Sequence, residues 1–120
     1  MAAHVNAIRI SVVGPCAAGK STLTHKLRSL GYEVRMPAQE HSGVADMWQQ
    51  LTSPDVLVYL DAELGTISRR RRIHWGQDRL EGLKCRLRHA REHANLYIST
   101  DKLTPDQVLQ RVQAYLVSVC

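Results

Sequence analysis

The sequence has no phenylalanine, only three cysteines and no long apolar run. No segment approaches the roughly 20 apolar residues that cross a bilayer, so no membrane-spanning helix is expected. The first residues, Met1-Ala2-Ala3-His4-Val5-Asn6, lack the basic cluster and apolar stretch of a secretion signal, which makes the cytoplasm the expected compartment. Cys16, Cys85 and Cys120 are odd in number and form no C-x-x-C pair. Their spacing therefore indicates neither a disulfide framework nor a zinc site. Repeats, low-complexity tracts and internal linkers are also lacking, and residues 1–120 are expected to form a single domain.

What is present is ordinary globular material, with 44% hydrophobic and 22% charged residues. A chain of this length buries about two-thirds of its unfolded surface, enough for one core. The net charge of +5 is uneven: residues 69–93 carry nine Lys or Arg against three acids, whereas residues 1–60 carry five against four. Such a segment is either a solvated basic face or a surface for an anionic partner.

Ile8-Arg9-Ile10-Ser11-Val12-Val13 reads as a strand covered on both faces, and it runs directly into a glycine loop. From Lys20 onward Leu23, Leu27 and Leu30 recur at helical spacing, with Gly31 at the left-handed position past a helix end. Tyr32 to Met36 reads as a second strand, and Val44, Met47, Trp48 and Leu51 as one face of a short helix. Asp55 to Asp61 is a buried strand ending in a carboxylate, followed by a helix over Ala62 to Arg72. Leu83 to Ala94 returns to helix, and Leu96-Tyr97-Ile98 is a short strand. Thr104-Pro105-Asp106-Gln107 is a capping box with Pro at the first helical position. Val108, Leu109, Val112, Tyr115, Leu116 and Val119 then form an apolar stripe. Strands alternating with helices predict an α/β fold, a three-layer α/β/α arrangement around a small parallel sheet. The expected strand order is 2-3-1-4, and ligands are expected at the carboxyl ends of the strands.

Gly14-Pro15-Cys16-Ala17-Ala18-Gly19-Lys20-Ser21 satisfies G-x-x-x-x-G-K-[ST] at every fixed position, between a strand and a helix as the motif requires. Glycines let the backbone turn successive N–H groups toward phosphate oxygens, and the helix N-terminus adds a favourable dipole. Lys20 is expected to reach the β- and γ-phosphates and the Ser21 hydroxyl to bind Mg²⁺, with Thr22 completing the binding segment. Cys16 within the loop is either an oxidisable thiol or a buried, inert one.

Through Ile8 to Ser21, through Pro54 to Asp61 with the arginine-terminated helix after it, and through Leu96-Tyr97-Ile98 before Thr104-Pro105, the chain resembles the P-loop NTPases. Within them it is similar to the small nucleoside and nucleotide kinases. The resemblance implies a P-loop NTPase fold, ATP or GTP with Mg²⁺, and an acidic residue at a strand end that organises the metal. Asp61 matches that residue by position, and it is equally suited to cap a helix starting at Ala62. The resemblance also implies a basic lid, for which the chain offers Arg69, Arg70, Arg71, Arg72, Arg79, Arg86, Arg88 and Arg91, with Arg72 taken as the catalytic candidate. It further implies base contacts from Thr100-Asp101-Lys102.

Glu40 or His41 is placed to orient a hydroxyl or water, the alternative being a polar loop with Ser42 capping the next helix. The first functional reading is phosphoryl transfer from a nucleoside triphosphate to a small-molecule acceptor, with Lys20, Glu40 and Arg72 catalytic. The second is a nucleotide-dependent binding module or slow NTPase acting with a protein partner, supported by the short span from Met36 to Pro54, which leaves little room for an acceptor. Nucleic-acid binding ranks last, since Trp75 is the only aromatic residue in the basic segment.

Overall fold

The computed structural model describes residues 8–119. Four strands, β1 (Arg9–Val13), β2 (Glu33–Arg35), β3 (Val56–Asp61) and β4 (Leu96–Ser99), form one all-parallel sheet in the order β2-β1-β3-β4. The helices are α1 (Lys20–Ser29), α2 (Met47–Thr52), α3 (Leu64–Arg70), α4 (Gln77–Arg86), α5 (Arg88–His93) and α6 (Pro105–Val119), with a 3₁₀ turn at Gln39–His41.

Period-two alternation sorts the sheet residues onto two faces. Ile10, Val12, Val34, Val58, Leu60 and Ile98 pack in one cluster with Leu23 and Leu27 of α1, Ile67 of α3 and Val108, Val112 and Leu116 of α6. Val13, Leu57 and Tyr59 pack in the other with Trp48 of α2 and Leu87 and Ala90 around α5. The expected α/β architecture with helices on both faces is therefore observed.

The strand order differs from the expected 2-3-1-4. β3 does lie beside β1, but β2 takes the other side of β1, with Ile10 opposite Val34 and Val56. The cause is local. Helix α1 ends in a Schellman motif, with Tyr32 N–H donating to Leu27 O (3.2 Å) and Gly31 N–H to Arg28 O (3.0 Å), and Gly31 takes φ +96°. That tight stop leaves three residues before β2, and so short a return lands beside the strand that the helix left.

Other elements depart from the pattern in the sequence. The face of α2 is not a buried stripe: Trp48 is buried, while Val44 and Leu51 are 53% and 67% exposed. Helix α3 starts at Leu64 rather than Ala62 and ends at Arg70. The helix expected from Leu83 begins at Gln77, runs through Gly82 and breaks at Leu87. Val119 lies outside the buried stripe of α6. The capping box is realised reciprocally, Gln107 N–H donating to Thr104 Oγ1 (3.2 Å) and Thr104 N–H to Gln107 Oε1 (2.9 Å).

Candidate functional site

The glycine loop joins the carboxyl end of β1 to α1, and its backbone needs the residues it has. A Cβ on Gly14 would lie 2.0 Å from the Leu60 carbonyl oxygen, so only glycine lets the chain pass β3 there. Ala17 (φ +60°) and Gly19 (φ +108°) are left-handed and turn the chain into the helix. Among the described residues, the N–H groups of Cys16, Ala17, Gly19, Lys20 and Ser21 have no acceptor. Five donors at one helix start form a concavity suited to an anion.

Lys20 arches back over this loop. Its ammonium donates to Gly14 O (2.6 Å) and forms an ion pair with Glu40. Glu40 comes from the 3₁₀ turn after β2 and is 5% exposed. One of its oxygens takes Lys20; the other, Oε1, is buried with no hydrogen-bond partner. The Ser21 hydroxyl is exposed, its nearest partner being Met36 Sδ at 3.8 Å. Cys16, Lys20, Ser21, Thr22, Glu40 and His41 line one pocket of about 450 Å³ with Gly19, Ala17 and the side of Arg70 and Arg71.

A second cavity of about 170 Å³ adjoins it, sharing Gly19, Thr22 and Arg70, and is walled by Leu23, Leu103, Pro105 and Val108. Thr100 fixes the loop after β4 against the glycine loop by donating to Ala18 O (2.8 Å). Arg70 adds bonds to Ala17 O and Thr100 Oγ1, both 3.0 Å. Asp101 is structural: it accepts from Glu63 N–H (2.8 Å) and Ser99 Oγ (3.0 Å). Partial burial opposes its ionisation, but hydrogen bonds from Thr66, Glu63 and Ser99, with Arg70 nearby, hold its carboxyl below the ordinary range.

Two expected site residues are placed differently. Arg72 lies past the end of α3 and does not line the glycine-loop pocket, whereas Arg70, the last residue of α3, and Arg71 just after it do. Asp61 is not brought to Ser21. As an odd-face residue of β3 it points to the α4 side, where its Oδ1 meets Lys84 Nζ (3.1 Å) and the Ala62 N–H (2.9 Å). Its Oδ2 accepts from the Tyr97 hydroxyl (2.5 Å). Neither does Asp61 cap α3, whose N-cap is Glu63. The expected Ser42 cap is also absent, α2 beginning at Met47 after Asp46.

Around Asp61 the aromatic residues stack, Tyr59 on Tyr97 with centroids 5.7 Å apart, and the Arg91 guanidinium sits 4.3 Å from the Tyr97 ring centroid. Burial, reinforced by Asp61, pushes both phenols upward in pKa, and for Tyr97 the hydrogen bond to Asp61 acts in the same direction. The sequence offered Arg70 and Arg71 among the lid arginines without distinguishing them from Arg72, and gave no sign of the Lys84–Asp61–Tyr97 group. No protein-family model matches the chain, and no curated protein is detectably similar to it in sequence.

Proposed function

We propose that this protein is a P-loop NTPase that binds ATP or GTP with Mg²⁺ and transfers the γ-phosphoryl group to a small acceptor, in the manner of small nucleoside and nucleotide kinases. The observation that carries the reading is the conjunction at Gly14 to Ser21: five unpaired N–H donors, a lysine folded back over them, and a buried acid with a free oxygen beside it. In this reading the phosphates take the polar pocket and the base lies toward the adjoining cavity walled by Leu103, Pro105 and Val108.

Each side chain then has a task. Lys20 exchanges Glu40 for the β- and γ-phosphates, a swap between two anionic partners that keeps its charge compensated. Glu40, released from Lys20, accepts the proton of the attacking hydroxyl or water, general-base work that requires a carboxylate oxygen with no competing donor. Arg70 and Arg71 lie where charge spreads over the transferring group. Ser21 would be the protein ligand to Mg²⁺, with Glu40, which lines the same pocket, organising its waters; the ion would neutralise charge on the phosphates.

Calorimetric titration of Mg-ATP and Mg-GTP into the wild type and Lys20→Ala tests the reading. Binding weakened at least 100-fold by the substitution is expected. A folded wild-type protein that binds neither nucleotide overturns it. Glu40→Gln separates transfer from binding: affinity within about threefold of wild type with turnover reduced by about 10²-fold or more is expected for a general base. The reading as a binding module that acts with a protein partner is favoured by one observation, the exposure of Arg69, Arg71 and Arg72 beside the pocket. It predicts nucleotide binding with no transfer to any small acceptor.

A further inference from the structure

Cys16 from the glycine loop and Glu40 and His41 from the turn after β2 meet at the mouth of the phosphate pocket. The Cys16 sulfur, a Glu40 carboxylate oxygen and a His41 ring nitrogen all lie within 4.8 Å of one another. We propose that these three side chains form a binding site for Zn²⁺ or a similar thiophilic divalent cation, and that metal there excludes the nucleoside triphosphate.

The donor set selects the ion. Thiolate, imidazole and carboxylate together suit Zn²⁺, whereas Mg²⁺ takes an all-oxygen shell. Ordinary zinc bond lengths put ligand atoms of a tetrahedron about 3.3–3.6 Å apart, so the trio must contract by about an ångström. His41 has the freedom to do so, its side chain being 54% exposed, and Cys16 sits in the loop rather than in the core. The Glu40 oxygen near the His41 ring is Oε2, 4.0 Å from Nε2 and paired with Lys20, so the ion would displace Lys20 from that oxygen or take Oε1 of the same carboxylate, which is buried without any hydrogen-bond donor. A carboxylate oxygen in that condition is stabilised by a positive ligand. Three protein ligands leave the fourth position open, as in zinc sites that hold a water. Binding requires the Cys16 thiol to give its proton to solvent, with no other bond made or broken.

Because the site uses Glu40 and lies against the loop that would take the phosphates, metal and Mg-ATP compete for one pocket. This exclusion rests on the nucleotide reading above; the metal site does not.

Co²⁺ titration of the full chain is the test, read by the thiolate-to-cobalt charge-transfer absorption in the near ultraviolet and by displacement with Zn²⁺. One equivalent is expected to bind, equally well in the Cys85→Ser/Cys120→Ser double variant. The absorption should vanish in Cys16→Ser, and the affinity should fall at least tenfold in His41→Ala. The stacked pair His89 and His93, ring centroids 4.1 Å apart, is the competing location on the surface. Absorption that persists in Cys16→Ser, or binding that is lost in His89→Ala/His93→Ala instead, overturns the site, as does a wild type that binds no cobalt. Zinc-loaded protein freed of excess metal should then bind Mg-ATP at least tenfold more weakly than metal-free protein, with the ratio near one in Cys16→Ser and in His41→Ala. An undiminished affinity in the loaded wild type overturns the exclusion. A metal-free wild type without ATP affinity instead sinks the nucleotide reading, and the cobalt titration still decides the site.

Discussion

Glu40 lies in the turn after β2 and Asp61 is the last residue of β3, and each is paired with a lysine. Asp61 is saturated, with Oδ1 shared by Lys84 and the Ala62 N–H and Oδ2 holding the Tyr97 hydroxyl. Glu40 is the more buried of the two and yet keeps one oxygen without a donor. A buried polar atom left unsatisfied costs stability, so a protein that leaves one beside a loop of free N–H groups has a site to offer there. The saturated carboxylate clamps β3, β4 and α4 together, and the unsaturated one is open to chemistry.

The largest expected effect strikes both carboxylates at once. Gly14→Ala would drive a Cβ into the Leu60 carbonyl, displacing the strand that ends in Asp61 and the carbonyl that holds Lys20. A loss of at least about 3 kcal/mol is expected in urea unfolding, since backbone cannot yield as a side chain can. A loss below about 1 kcal/mol would show that the loop sits farther from β3.

Lys20→Ala is expected to cost about 3 kcal/mol by leaving the Glu40 charge buried and unpaired, its side chain being only 7% exposed. Adding Glu40→Gln should recover at least half of that loss. Additive costs in the double variant would mean that the pair is not coupled.

Asp61→Asn should cost only about 1 kcal/mol, because the amide keeps part of the hydrogen bonding and Lys84 is already 35% exposed. Its Mg-ATP affinity should match that of the wild type. A tenfold loss of affinity would return Asp61 to the metal role its sequence position suggests and erase the contrast with Glu40.

The smallest effect concerns Asp101, a third carboxylate with both oxygens bonded. Its folded pKa is lowered, so the stability it contributes is present in full above about pH 4, its ordinary value, and is lost as pH falls through the lower folded value. Thermal midpoints of wild type and Asp101→Asn should therefore converge only below about pH 4. A gap that stays constant down to pH 2 would show that the carboxylate charge is not what matters.

Local chemistry carried much of the fold. The Gly31 stop, the capping box at Thr104 and the lysine and glycines of the loop are interactions within a few residues, and their letters suffice to predict them. The short α2 misled because an apolar spacing of Val44, Met47, Trp48 and Leu51 says nothing about which of them meets the sheet. The arginine run misled for a related reason: four cations in a row are indistinguishable until the helix end selects Arg70 and Arg71 for the pocket. Glu40 was legible as a polar residue after a strand, but its unpartnered oxygen was not.

The sequence by itself determined the alternation of strands and helices, the parallel sheet and the glycine loop between β1 and α1, since each depends on backbone conformations or periodicities that nearby residues dictate. Only the tertiary structure decided the place of β4 at the β3 edge, the saturation of Asp61 and the meeting of Cys16 with Glu40 and His41. Those outcomes depend on which distant groups the packed sheet brings within reach of one another, and cysteine spacing along the chain carries no record of a carboxylate and an imidazole that arrive from the turn after β2.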